Sequence, residues 1–460
     1  MLKHKSIVLW IVGIIIILIC NEARADETLV TPNESETLVA EMNKAMKKNG
    51  FRVSPDLKRV AYFYWAGGKQ SCVVDGQEGK QYYDIGLTSL IFSPDSKRMA
   101  YIAGTANKRF IVVDGKEGNQ YDGVYMHLTQ WGELGTAELI FSPDSKRVAY
   151  IAITGSDRLH YIAGTGGKMF SVVDDQEGKP YDFAHYIIFS PDSKHMAYIA
   201  MIGSKYFIVV DGQEGKHYDS SDYPIFSPDS KRVAYVAMTG NKMFCVIAGK
   251  EEKKQYDFVS SPIFSPDNQR IVYIAETGGK RHVVVDGQEG KQYYDIDASS
   301  LMFSPDSKRV AYIANTQTET FVIVDGQEEK QYYRIGAGPL IFSPDSKHVA
   351  YIATGTKGEI FSVVNGQEGN KYYDIDASSL VFSPDSKHVA YVAKTRSFNP
   401  DSKQVVYKMF VVVDGQEGKQ YDSVVLSGLG GRIVFDSTDS LYYLAVQDYK
   451  IYMVKRILRK

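Results

Sequence analysis

The stretch LMFSPDSKRVAYIA, residues 301–314, sets a Ser-Pro-Asp-Ser turn between two short apolar runs, and nearly the same words recur along the chain. The Ser-Pro-Asp triplet starts at Ser54, Ser93, Ser142, Ser190, Ser227, Ser265, Ser304, Ser343 and Ser383. From Ser190 onward its spacing holds at 37–40 residues, the period of a propeller blade. One unit, residues 301–339, reads as four short strands: LMFS, RVAYIA, FVIVDG and QYYRI. Four strands joined as hairpins make a meander, which is the topology of a blade. Pro305 presets the backbone angle for the first central position of the turn, and Asp306 and Ser307 are expected to hydrogen-bond their own backbone. In the neighbouring unit the DGQEGK link supplies Gly287 and Gly290, where positive φ is expected.

The second strand discriminates between β architectures. RVAYIA places Val310, Tyr312 and Ala314 on one face and Ala311 and Ile313 on the other, both largely apolar. A sheet wet on one side would alternate with polar residues. Each small sheet must therefore be covered on both faces, as stacked blades are. This excludes an open sandwich, and the frequent hairpin turns exclude a parallel β-helix.

The motif FSPDSKRVAYIA resembles the WD-like, Pro-Asp type of propeller repeat found in TolB-like proteins and in the propeller domains of prolyl oligopeptidases. The resemblance covers about residues 51–446 and implies an all-β propeller of about nine to ten four-stranded blades. It implies no particular function, because that repeat serves unrelated tasks. The α/β domain of TolB-like proteins and the hydrolase domain of the oligopeptidases have no counterpart here. No Pro/Gly/Ser-rich linker divides the array, so one large ring is expected over residues 51–460.

The ends complete the count. RIVFDSTDSLYYLAVQDYKIYMVKR reads as three strands of a degenerate last unit, near residues 433–435, 441–446 and 451–454. Its fourth strand is expected from the N-terminus, at residues 27–31. A short helix is expected over residues 33–50, with Asn33 or Ser35 as cap, Leu38, Met42 and Met46 on one stripe, and Gly50 as stop. Further upstream, Lys3 and Lys5 precede an apolar run from Ile7 to Cys20, and Ala23-Arg24-Ala25 follows. This pattern predicts a signal peptide over residues 1–25, cut after Ala25. The bulky Ile19 before Cys20 disfavours a lipoprotein signal. A periplasmic or secreted protein follows, with no membrane insertion after cleavage.

The 53 basic and 55 acidic residues are interspersed and leave a formal charge of -2, so no basic face for nucleic acid is implied. Thirty-three Tyr and 39 Gly suit many short strands joined by tight turns. Beyond the signal, Cys72 and Cys245 hold the same position four units apart, which predicts two buried thiols and no disulfide.

Chemical motifs are sparse. Asp306 and Asp286 recur once per unit at turn positions, where Asp serves local hydrogen bonding. No G-x-S-x-G elbow and no calcium-loop spacing occurs. The scattered His, among them His195, His348 and His388 in the place of the turn Arg, read as solvated strand edges. GTGGK at residues 164–168 joins two strands rather than leading into a helix, so it reads as a hairpin and not a phosphate loop. Neither a cofactor nor a metal is expected, and no enzyme.

Departures from the repeat are where a symmetric scaffold becomes specific. They fall at residues 123–138, 153–168 and 394–408. The first, with Tyr125, Met126 and Trp131 expected exposed in a loop, is the candidate recognition patch. The sequence therefore points to a monomeric, non-enzymatic scaffold that binds a protein or a cell-envelope component. The alternative is a multivalent, lectin-like carbohydrate binder with one site per blade.

Overall fold

The computed structural model describes residues 34–41, 51–56, 58–86, 88–128, 134–155, 167–336, 340–399, 404–424, 432–448 and 450–458. The described chain is an all-β propeller, with ten blade sheets of four or five strands and one two-stranded hairpin. It divides into two compact units. One holds residues 49–264 and 275–278, and the other holds residues 34–41, 265–274 and 279–460.

The repeat quoted above forms blade seven, whose strands Asp295–Phe303, Val310–Asn315, Thr320–Val324 and Gln327–Glu328 pair antiparallel in that order. The first strand starts at Asp295, earlier than the LMFS reading, and its register breaks between Asp297 and Met302. The expected QYYRI strand is divided. Gln327–Glu328 completes the sheet, Tyr332 makes a single bridge back to Thr320, and Arg334–Ile335 already belongs to the next blade. The reason is the ring of Tyr332, which is buried against Tyr351 (6.1 Å) and Phe361 (5.8 Å) of that next blade while the chain crosses over.

Asp325 and Gly326 carry φ of 52° and 79°, and Asp286 and Gly287 carry 52° and 79° as well. Two successive left-handed residues make the primed hairpin turn that Asp-Gly favours. Gly290 is not left-handed, contrary to expectation. A Cβ there would stand 3.2 Å from the Val283 carbonyl oxygen, so close approach of backbone explains this glycine.

Both faces of each sheet are buried, as the second strand implied. Ala311 and Ile313 of blade seven pack into one core with Tyr332, Leu340, Tyr351 and Phe361 of the blade that follows. Burying each such large side chain is worth roughly 1.5–3 kcal/mol, so the contacts between blades carry much of the stability.

The N-terminal segment corrects one expectation and sharpens another. Residues 34–41, read from sequence as the start of a helix, form the strand Glu34–Glu41. The remainder of that helix, the expected strand at residues 27–31 and the signal segment lie outside the described residues. Glu34–Glu41 pairs antiparallel with Lys450–Ile457, so the last blade does take its outer strand from the N-terminus, seven or more residues later than expected.

Candidate functional site

Register gives every blade two different ends. At one end lie the turn between the first and second strands and the Asp-Gly hairpin; Phe303 pairs with Val310 there, and Val324 with Gln327. At the other end lie the hairpin between the second and third strands and the crossing to the next blade; Asp295 pairs with Asn315 there, and Asn315 with Thr320.

The first end is a lattice. In all nine Ser-Pro-Asp turns the Ser hydroxyl donates to the Asp carboxylate at 2.6–2.7 Å. Ser304 Oγ also accepts the Arg309 N–H (3.0 Å), and Asp306 accepts the Lys308 N–H (3.2 Å). These bonds to the carboxylate hold the Asp306 carboxyl below its ordinary pKa, that from Ser304 foremost. Ser307, with φ of 66°, does not serve its own backbone as expected, because its hydroxyl accepts the N–H of Asp267 in the preceding turn (2.9 Å). Arg309 pairs with Asp325 (2.8 Å) and reaches the carbonyl of Ser346 in the next turn (3.3 Å), with its guanidinium 5.5 Å from the Phe342 ring centre. The His that replace this Arg are paired rather than merely solvated: His195 lies 2.7 Å from Asp211 and His388 lies 2.5 Å from Asp414. The repeated acids are therefore spent on the scaffold.

Two of the three departures from the repeat lie at the opposite end of their blades, and the third interrupts a first strand half-way along. Residues 153–168 and 394–408 belong to hairpins between second and third strands, whereas residues 123–138 split the first strand of blade three, because Gly123–Val124 and Leu139–Phe141 both pair with Val148–Thr154. The insertion in the first strand folds back on itself, since Met126–Leu128 pairs with Leu134–Ala137. Of the three expected recognition residues, Tyr125 sits at the base of this hairpin, and Met126 lies within its first strand. Trp131 lies outside the described residues. Tyr125 is half-buried rather than loop-exposed, because its ring meets Phe183 edge-on at 5.9 Å.

What the hairpin base gathers was not legible as a motif. Glu138 closes the hairpin, its N–H donating to the Tyr125 carbonyl (3.4 Å), and its side chain is only 6% exposed. Burial pushes its carboxyl up to about 7, although it accepts the Tyr186 N–H at 2.6 Å. His185 Nδ1 stands 4.0 Å from the same carboxylate. Tyr186 is held at φ +60°, a costly conformation for an aromatic residue, and its ring stacks on Tyr223 at 3.7 Å. Tyr223, 38% exposed, follows Asp222, whose carboxylate accepts the Tyr223 N–H (2.8 Å) and the Ser261 hydroxyl (3.3 Å). Thus blades three to six each bring residues to one aromatic ledge with a protonatable acid beneath it. The signal available in the sequence was the run FAHYI at residues 183–187, where most of the other first strands carry small residues.

Other chemistry is thin. Cys72 and Cys245 are buried and unbridged as expected, and burial pushes the Cys72 thiol up to about 12. Among the described residues no three His, Cys, Asp or Glu side chains gather as a metal site.

No protein-family model matches the chain, and no curated protein matches it. Solved structures do. A eukaryotic initiation factor matches at 14% identity over 79% of this chain and 96% of its own, with a TM-score of 0.45. The Dos1 propeller matches at 11% identity over 81% of this chain and 92% of its own, with a TM-score of 0.34. TolB from Acinetobacter baumannii matches at 17% identity over 50% of this chain and 62% of its own, with a TM-score of 0.27. These likenesses are distant, and the assignment of blades rests on the pairing described above.

Proposed function

We propose that this protein is a non-enzymatic scaffold of the WD-like, TolB-like propeller type that acts outside the cytoplasm, in the periplasm or after secretion. It binds another protein or an envelope component through the ledge formed by Tyr125, Tyr186 and Tyr223. One observation carries the reading: the polar lattice repeats at one end of the blades, while a hairpin insertion, a strained aromatic residue and a buried acid gather where the first strands of blades three to five break register half-way along. Strain of this kind persists where the surroundings over-determine it, and such places cluster at functional sites. An aromatic anchor beside near-neutral surroundings is how protein interfaces concentrate binding energy.

A photocrosslinking residue placed at Tyr223 in cells tests this. It should capture a discrete partner, whereas the same residue at Lys194, exposed on the lattice end of blade four, should not. Equal capture at both positions, or capture only at Lys194, would reject the ledge as the site.

A further inference from the structure

A cleft of about 610 Å³ opens between blades eight and nine, within the second unit. Its cause is a coincidence of three departures from the repeat. Where blade seven has Arg309, blade eight has His348; where blade seven has Asp325, blade eight has Asn365; and where blade seven has Lys330, blade eight has Asn370. All three replacements line the cleft.

The consequences follow from what the repeat normally does there. Arg309 lies over the ring of Phe342 and reaches the carbonyls of Ser346 and Lys347 at 3.3 and 3.4 Å, filling the groove between its blades. Lys330 adds an ion pair to Glu368 of the next blade (2.6 Å). In blade eight an imidazole, which lacks both the reach and the fork of a guanidinium, turns instead to its own hairpin, with Nδ1 2.6 Å from Asn365 Nδ2. Asn370 donates to the Gly415 carbonyl at 3.0 Å rather than making an ion pair. The equivalent groove is left open over Phe382, Val364 and Val389.

The charged side chains of the cleft each have a partner within the protein. Its acids and its lysine are each engaged within the protein: Glu368 with Lys330, Asp414 with His388 (2.5 Å), and Lys387 with Asp385 (3.2 Å). Asn365 Oδ1 accepts the Val349 N–H (3.0 Å) and Ser386 Oγ the Asp345 N–H (2.9 Å), and the further donor and acceptor capacity of Asn365, Asn370 and Ser386, with the Gln367 amide, is what the cleft offers. Such groups around an apolar floor match hydroxyls on an apolar ring, and the volume falls in the range of roughly 300–1,000 Å³ usual for small-ligand sites.

We propose that the cleft between blades eight and nine binds a short neutral saccharide, one per chain, with Phe382 as floor and Asn365 and Asn370 as hydroxyl partners. The proposal is independent of the protein-binding ledge, which lies in the other unit.

Saturation-transfer NMR on the full chain tests it with maltose, cellobiose and N,N′-diacetylchitobiose as probes, and with glucuronic acid and glucose 6-phosphate as charged comparators. At least one neutral disaccharide should receive saturation, and the charged sugars should not. The triple variant His348→Arg, Asn365→Asp, Asn370→Lys restores the repeat's own lattice, so it should fold at least as well as the parent and lose the signal. Asn370→Ala, a milder exposed change, should weaken it. Calorimetric titration should give one site. Silence of all neutral probes, preference for the charged sugars, undiminished signal in the triple variant, or several sites per chain would each overturn the proposal.

Discussion

Ser304 is fully buried, and its hydroxyl stands between the Asp306 carboxylate and the Arg309 N–H, at 2.6 and 3.0 Å. Ser304→Ala strands that N–H in the turn, at a cost of about 1–3 kcal/mol; urea unfolding should show a lower midpoint with an unchanged slope. Sequence alone assigned this turn to the scaffold, because Ser, Pro and Asp each have a known part in a turn. It did not show that Ser307 and Arg309 reach across to neighbouring blades, since partners about 40 residues away leave no local trace. Glu138 was wholly hidden, because its burial is created by residues from another blade. Its carboxyl is raised from 4.5 to about 7 by burial. The folded protein therefore keeps a proton that the unfolded chain has released, so the associated stability is full below about pH 4.5 and is lost as pH rises through about 7. Glu138→Gln removes this dependence while keeping an acceptor for the Tyr186 N–H. Relative to the parent, the variant should gain up to about 3 kcal/mol between about pH 4.5 and about pH 8, read from denaturation curves at both. A constant difference between the two proteins across that range would place the titration elsewhere.

Among elements, the strand Glu34–Glu41 shows how a correct idea met the wrong residues. An N-terminal partner for the last blade was expected, because a three-stranded blade leaves an open edge. Residues 27–31 look more like a strand, and Leu38, Met42 and Met46 fall on one helical stripe, so periodicity favoured the wrong register. What decides the register is tertiary. Glu36 pairs with Lys419 (2.9 Å) and accepts the Tyr421 hydroxyl, just as Glu251 pairs with Lys216 (2.6 Å) and accepts the Tyr218 hydroxyl (3.0 Å). Glu34 adds a buried contact of 3.6 Å to Arg456. Deleting residues 34–41 should therefore lower the melting temperature and promote oligomers through the exposed edge of Lys450–Ile457, whereas deleting residues 27–31 should do neither. Equal behaviour of both truncations, by calorimetry and size exclusion, would contradict this pairing.

For the whole molecule, the period of 37–40 residues made the blade architecture legible, because repetition displays the same strand pattern many times over. The proposed site was far less legible, since it lies in the few places where the pattern fails, and the failures join only through the fold. Tyr125, Tyr186 and Tyr223 are separated by 61 and 37 residues of chain, yet the fold brings them onto one ledge with Glu138. The central claim is a division of labour between the turn lattice at one end of the blades and the register breaks in their first strands, and partner affinity in two variants of the same unit tests it most directly. Ser190→Ala strikes the lattice turn of blade four, and Tyr223→Ala strikes the ledge. With a captured partner immobilised, Tyr223→Ala should weaken binding by about tenfold or more while melting like the parent, and Ser190→Ala should melt lower while binding like the parent. Loss of binding in a stably folded Ser190→Ala protein, with Tyr223→Ala binding normally, would contradict the account.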